Sequence, residues 1–171
     1  FHTHFTPFTE GFVHAAPNDL AAMEEAMENP RVCAVLLELI QGEGGLRVLD
    51  PDYVKGVAAL AKEKDILLMI DEVQTGNGRT GALYCYMNYG LEPDVVSTAK
   101  GLAGGLPMGA VLFNGKTRAT LGAGDHGSTF GGNPVCAAGA VNIISRITPE
   151  LLAEVRAKGD YLRQQLENAD G

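Results

Sequence analysis

Positive charge, paired cysteines and long apolar runs are all scarce in this sequence, and each scarcity removes a class of function. Only 13 Lys and Arg stand against 21 Asp and Glu in 171 residues, a formal net charge of −8. Sequence-independent nucleic-acid binding needs clustered cationic side chains, so that role is disfavoured. No apolar run approaches the roughly 20 residues of a membrane-spanning helix. The opening, from Phe1-His2 to Gly11-Phe12, has neither the charged start nor the apolar centre of a leader peptide. It also has no initiator methionine, as expected of an internal piece of a longer chain. Cys33, Cys85 and Cys136 are far apart and form no C-x-x-C pair. Unpaired, buried thiols in a reducing, cytoplasmic compartment are the simplest expectation.

The content that remains is that of a globular domain, 46% hydrophobic and 20% charged. A chain of this length buries roughly 70% of the surface its unfolded form exposes. Glycine is over-used, with 22 residues against a common share of about 7%. The glycines cluster, which marks loops that turn sharply or approach a ligand closely.

Four short apolar runs are bounded by polar or turn residues: Val32–Leu37, Ile66–Ile70, Val95–Thr98 and Ala110–Phe113. Runs apolar on both faces predict strands buried in a parallel or mixed sheet. Helical patterns lie between them. Asn18 is placed to cap a helix carrying Leu20, Met23 and Met27. Asp50-Pro51 is a cap followed by proline at the first helical position, and Val54, Val57, Ala58 and Ala61 follow at helical spacing. Thr148-Pro149 repeats that signal, with Leu151, Val155, Leu162 and Leu166 as the expected buried stripe. Strand and helix alternate, which is the α/β signature.

Two nucleotide motifs fail on inspection. Gly76-Asn77-Gly78-Arg79-Thr80-Gly81 spells G-x-G-x-x-G, but Asp71 and Glu72 precede it, where they would repel a pyrophosphate. Gly115-Lys116-Thr117 matches the end of a Walker A loop, but position 110 is alanine where that loop needs glycine. Lys116 is therefore expected to be an ordinary surface residue. His2, His4 and His14 sit in a Pro- and Phe-rich stretch with no element to fix a metal geometry, so no metal site is expected.

The chemistry concentrates at two strand ends. Asp71 closes the most apolar strand, and Lys100 follows the strand Asp94–Thr98. Ligands of open α/β sheets bind at the carboxyl ends of strands. A carboxylate leaving a buried strand is costly unless it meets a cation or caps a turn. A lysine held among apolar and glycine residues suits Schiff-base chemistry with an aldehyde, although an exposed lysine at a strand end is the plain alternative.

Four blocks now carry a resemblance. They are ELIQGEGG (38–45), IDEVQTGNGRTG (70–81), PDVVSTAKGLAGGLPMGAVL (93–112) and GDHGSTFGGNP (124–134), and Asp71 and Lys100 are 29 positions apart. In this order they resemble a class III, ornithine-type aminotransferase, most of all the acetylornithine branch. The similarity runs over nearly the whole chain.

The resemblance implies an α/β fold, pyridoxal-phosphate transferase fold type I. Residues 1–171 would form the central part of the large domain, with a mostly parallel sheet flanked by helices. The N-terminal segment and the C-terminal small domain would lie outside this chain. Pyridoxal 5′-phosphate is the implied cofactor, and Lys100 the catalytic residue that links to it and moves the proton. The run Asp71, Glu72, Val73 and Gln74 would bind the cofactor. Within it, Asp71 would pair with the ring nitrogen, Val73 pack on the ring and Gln74 bond near the phenolic oxygen. Thr129 would hold the phosphate across a homodimer interface. Ser128 and Glu38 would meet the amino-acid substrate, while a structural ion pair remains an alternative for Glu38. The partners implied are an amino acid and 2-oxoglutarate in arginine biosynthesis, with neither nucleic acid nor membrane. Leu39 stands where many members have proline, which loosens the analogy at the substrate pocket but leaves Lys100 and Asp71 untouched.

Overall fold

The computed structural model describes residues 4–169. Three of the four apolar runs become parallel neighbours in one sheet. β1 (Ala34–Leu37) pairs with β4 (Leu67–Asp71), and β4 pairs with β5 (Val95–Thr98). The fourth run, β6 (Ala110–Phe113), pairs antiparallel with β5, giving the order β1-β4-β5-β6. Two short strands, β2 (Ile40–Gln41) and β3 (Arg47–Val48), form a separate hairpin. The turn-rich Gly42–Gly45 stretch between them explains why the sequence pattern does not announce it.

The main core lies between β1, β4 and the helices α1 (Leu20–Met27) and α2 (Pro51–Glu63). The Asp50-Pro51 signal is borne out: Asp50 Oδ1 accepts from the Asp52 N–H at 2.8 Å. Tyr53, Val54, Val57 and Ala61 then present one buried stripe. Burying each of the larger side chains contributes about 1.5–3 kcal/mol. At the start of α1 the cap is Asp19, whose Oδ1 accepts from the Ala22 N–H, and not Asn18. Asn18 is instead left-handed (φ 62°) and accepts from the Asp50 N–H at 2.8 Å, so its amide ties the two helix starts together.

Two other expectations need correction. β6 is not buried on both faces: Val111, Leu112 and Phe113 are all exposed, as befits an antiparallel edge strand. The helix α4 (Pro149–Ala169) does begin at Pro149, with Thr148 Oγ1 accepting from the Leu151 N–H, but it has no fully buried residue. It docks through Leu152 and Arg156, which lie against Gly78 and Gly81, rather than through the Leu151, Leu162 and Leu166 stripe. The helix α3 (Pro134–Arg146), capped by Asn133, packs Ala140 on Leu102 and Ala103.

At the amino ends of β4 and β5, Asp94 fastens the sheet. Its Oδ2 accepts from the Leu68 N–H at 2.9 Å and its Oδ1 from Asn114 Nδ2 at 2.8 Å. Lys116 pairs with Asp65 at 2.6 Å, and Thr117 Oγ1 donates to the Asp94 carbonyl at 2.8 Å. The Gly-Lys-Thr triplet is thus a clamp across strand starts, far from the carboxyl ends. Among the described residues no single helix is long and apolar enough to cross a membrane.

Candidate active site

Register brings the two predicted residues to one edge of the sheet. Asp71 is the last residue of β4 and lies opposite Ser97 of β5. Lys100 follows two residues after β5 ends, at the start of a single 3₁₀ turn, Lys100–Ala103. Both therefore leave the carboxyl ends of adjacent parallel strands, where an α/β sheet opens to ligands.

Asp71 is half-buried, and its Oδ1 accepts from the Val73 N–H at 2.8 Å. Its Oδ2 takes no hydrogen bond from the described residues. One oxygen is held by the backbone and the other stays free among the described residues. Lys100 is exposed and forms no ion pair among the described residues. Its backbone is left-handed at φ 49°, a conformation that costs a non-glycine residue energy and that clusters at functional sites.

Glu38, just after β1, turns its Oε1 to the Gly42 N–H at 2.7 Å. Gly42 in turn lies under Gln74. A Cβ built on Gly42 would fall 1.3 Å from Gln74 Oε1, so only glycine leaves room for that amide. The structure thereby gathers Glu38, Gly42 and Gln74 at the same end of the sheet as Asp71. No ion pair engages Glu38 among the described residues.

The Glu72 carboxylate is engaged inside the protein. Its side chain is fully buried and accepts from Thr75 Oγ1 (2.6 Å) and from the backbone N–H groups of Cys85 (2.9 Å) and Tyr86 (2.8 Å). With three donors engaged internally, this carboxylate holds the glycine loop to the Cys85–Tyr89 turn. Burial, with the Glu72 charge adding to it, pushes the neighbouring Cys85 thiol up to about 11.

Ser128 and Thr129 lie in an exposed loop ahead of α3. Ser128 lines a cleft of about 580 Å³ with Pro107, Met108, His126, Phe130 and Asn133. No hydrogen bond joins either hydroxyl to Lys100 or Asp71 among the described residues. A second cleft, about 630 Å³, lies at the amino ends of the strands beside Lys116 and Asp94, away from these groups. Phe1 and His2 lie outside the described residues.

Sequence reasoning missed Asn77. Its Nδ2 donates to Thr98 Oγ1 (3.2 Å) and to the Ala99 carbonyl (3.1 Å), directly before Lys100. The available signal was an asparagine between two glycines, since Asn tolerates the left-handed region it occupies here (φ 55°).

A primary amine, a carboxylate with a free oxygen and an amide over a glycine-lined floor suit an aromatic aldehyde with a protonated ring nitrogen. That donor set fits pyridoxal phosphate. The comparisons agree. The family model for class III aminotransferases matches residues 2–171. The acetylornithine aminotransferase of Haemophilus ducreyi is 51% identical over 168 residues, 98% of this chain and 43% of that protein. The succinylornithine transaminase of Yersinia pseudotuberculosis is 45% identical over 163 residues, 95% of this chain and 39% of that protein. A structure of the ornithine aminotransferase from Toxoplasma gondii, with partial occupancy of pyridoxal phosphate at its active site, superposes with a TM-score of 0.81. It is 39% identical, covering 91% of this chain and 35% of that one.

The fold is that of a pyridoxal-phosphate transferase. The chain belongs to the class III aminotransferases, and it spans about two fifths of the length of the curated relatives it matches.

Proposed function

We propose that the whole protein is a transaminase that moves the terminal amino group of N-acetylornithine to 2-oxoglutarate, a step of arginine biosynthesis. In this reading it works in the cytoplasm as a homodimer. Residues 1–171 are the central part of its large domain, completed by an N-terminal segment and a C-terminal small domain. The observation that carries the reading is that Lys100 and Asp71 stand at the carboxyl ends of adjacent parallel strands.

Pyridoxal phosphate, when bound, supplies an aldehyde that takes up amino groups and a ring that draws electrons from the adjoining carbon. Lys100 would hold the cofactor through its amine and, once released, carry a proton to and from that carbon. Asp71 Oδ2 would accept the ring N–H and keep the ring cationic. Val73 would pack on the ring face, and the Gln74 amide would bond to the phenolic oxygen. Thr129 would bind the phosphate, and Ser128 and Glu38 would orient the substrate. Glu72 would act indirectly, by fixing the loop that carries Val73 and Gln74.

The acyl group on the substrate is the finer question, because relatives named for acetylornithine, succinylornithine and ornithine are all similar to this chain. Turnover on these three amines discriminates among them, and acetylornithine is expected to lead. The class of chemistry is tested by borohydride reduction after adding pyridoxal phosphate, followed by peptide mass mapping. A pyridoxyl adduct confined to Lys100 and lost in Lys100→Ala is expected. No adduct in a form extended to the relatives' full length would favour a non-catalytic domain that has kept the fold.

A further inference from the structure

We propose that Asn77 is a positioning residue for Lys100: its side-chain amide clamps the carbonyl immediately before the lysine and fixes the kink from which the amine emerges. The inference rests on the reading that Lys100 carries the cofactor.

The clamp is specific in its chemistry. The Ala99 carbonyl can only accept, so the amide nitrogen of Asn77 must be the group facing it, at 3.1 Å. The second bond of the same nitrogen goes to Thr98 Oγ1, and Thr98 is 2% exposed. The Ala99 carbonyl also accepts the Leu102 N–H at 3.0 Å, the bond that starts the turn carrying Lys100. One oxygen thus joins the glycine loop, the end of β5 and the lysine turn. On the other side of Lys100, Gly101 brings its backbone under the Asn77 side chain, where an added Cβ would come 4.0 Å from the Asn77 Cβ. Asn77 borders the lysine before and after.

Three irregularities coincide here. Asn77 and Lys100 are both left-handed, at φ 55° and 49°. The remaining amide atom, Asn77 Oδ1, is buried and meets no donor among the described residues. A buried acceptor without a partner destabilises a fold, as does a left-handed lysine. Glycine at 77 would satisfy the backbone without stranding an acceptor. Asparagine adds the clamp on Ala99, and that clamp is what offsets the strain at Lys100.

The test uses the full-length protein that contains this chain, with pyridoxal phosphate as the probe. Asn77→Gly keeps the left-handed backbone and removes the amide. Asn77→Asp keeps the shape and removes the donors. Asn88→Ala is the control, since it cuts a comparable amide tie of the same loop, to Thr80 Oγ1 at 3.1 Å. The readouts are the rate of covalent attachment at Lys100, trapped by borohydride, and the pH midpoint of the bound cofactor's visible band. Both Asn77 variants are expected to attach about tenfold more slowly, as a small misplacement of a reacting group does, and to move the midpoint. Asn88→Ala is expected to do neither. If the Asn77 variants only lower the melting temperature, with rate and midpoint at wild-type values, Asn77 is structural and the proposal is overturned. A wild-type protein unlabelled at Lys100 would instead overturn the reading beneath it.

Discussion

Asp71 and Glu72 are consecutive, yet one carboxylate keeps an oxygen free at a strand end while the other is wholly enclosed. Asp71 Oδ1 accepts from the Val73 N–H, and Glu72 accepts from three donors, on Thr75, Cys85 and Tyr86. The burial alternation of β4 continues one residue past its end, so Glu72 is enclosed while Asp71 keeps an oxygen free among the described residues.

Substitution should separate the two. Glu72→Ala strands the buried Cys85 N–H and the half-buried Tyr86 N–H and is expected to cost about 3 kcal/mol of stability. Urea unfolding of the full-length protein would measure it. Asp71→Asn is expected to leave unfolding within about 1 kcal/mol of wild type and to lower transamination at least about a hundredfold, as loss of a preorganised charge does. Equal stability losses in both variants would refute the division.

Gly42 offers a steric test of the Gln74 end of the sheet. Gly42→Ala puts a methyl where Gln74 Oε1 now lies, so the amide must leave. Overpacking of this kind costs about 1–3 kcal/mol, and cofactor affinity should fall with it. Gly115→Ala, which meets open space, should alter neither. Cofactor titration by absorbance, beside thermal unfolding, reads both effects.

Cys85 gives a pH-dependent outcome. Its thiol is raised to about 11 by burial and then by the Glu72 charge. The folded state therefore favours the neutral thiol, and the stability this adds is present below the unfolded value near 9. It is lost as pH climbs through the folded value. Alkylation followed by mass spectrometry should modify the exposed Cys33 first at pH 8, with Cys85 protected until the pH nears 11. Modification of both thiols at equal rates at pH 8 would contradict this.

The four main strands, the Asp50 and Thr148 helix starts and the placement of Asp71 and Lys100 at adjacent strand ends were legible because local signals and burial agree there. Val95–Thr98 is buried at three of its four positions, lies centrally and pairs on both sides. Where local signals compete, tertiary contacts decide. Asn18 and Asp19 can each cap a helix, and the Asp50 N–H claims Asn18. The α4 stripe follows helical spacing, but spacing does not say which face finds a partner, and Leu152 and Arg156 found the glycine loop. Ala110–Phe113 reads as buried because apolar content does not reveal that a strand is last in its sheet. Asn77 was hidden inside a motif read only for its glycines. Its partners, Thr98 and Ala99, are more than twenty positions away.

Glu38, Asp71 and Lys100 follow three strands that pair side by side in parallel, so no two of them come from a local hairpin. Each pairing must wait for a crossover to close before it yields any contact. A cofactor held by Asp71 and Lys100 would thus recognise only chains in which β4 and β5 are already paired. Saturating cofactor should then raise the unfolding midpoint by mass action, and its capture can time the last stage of folding.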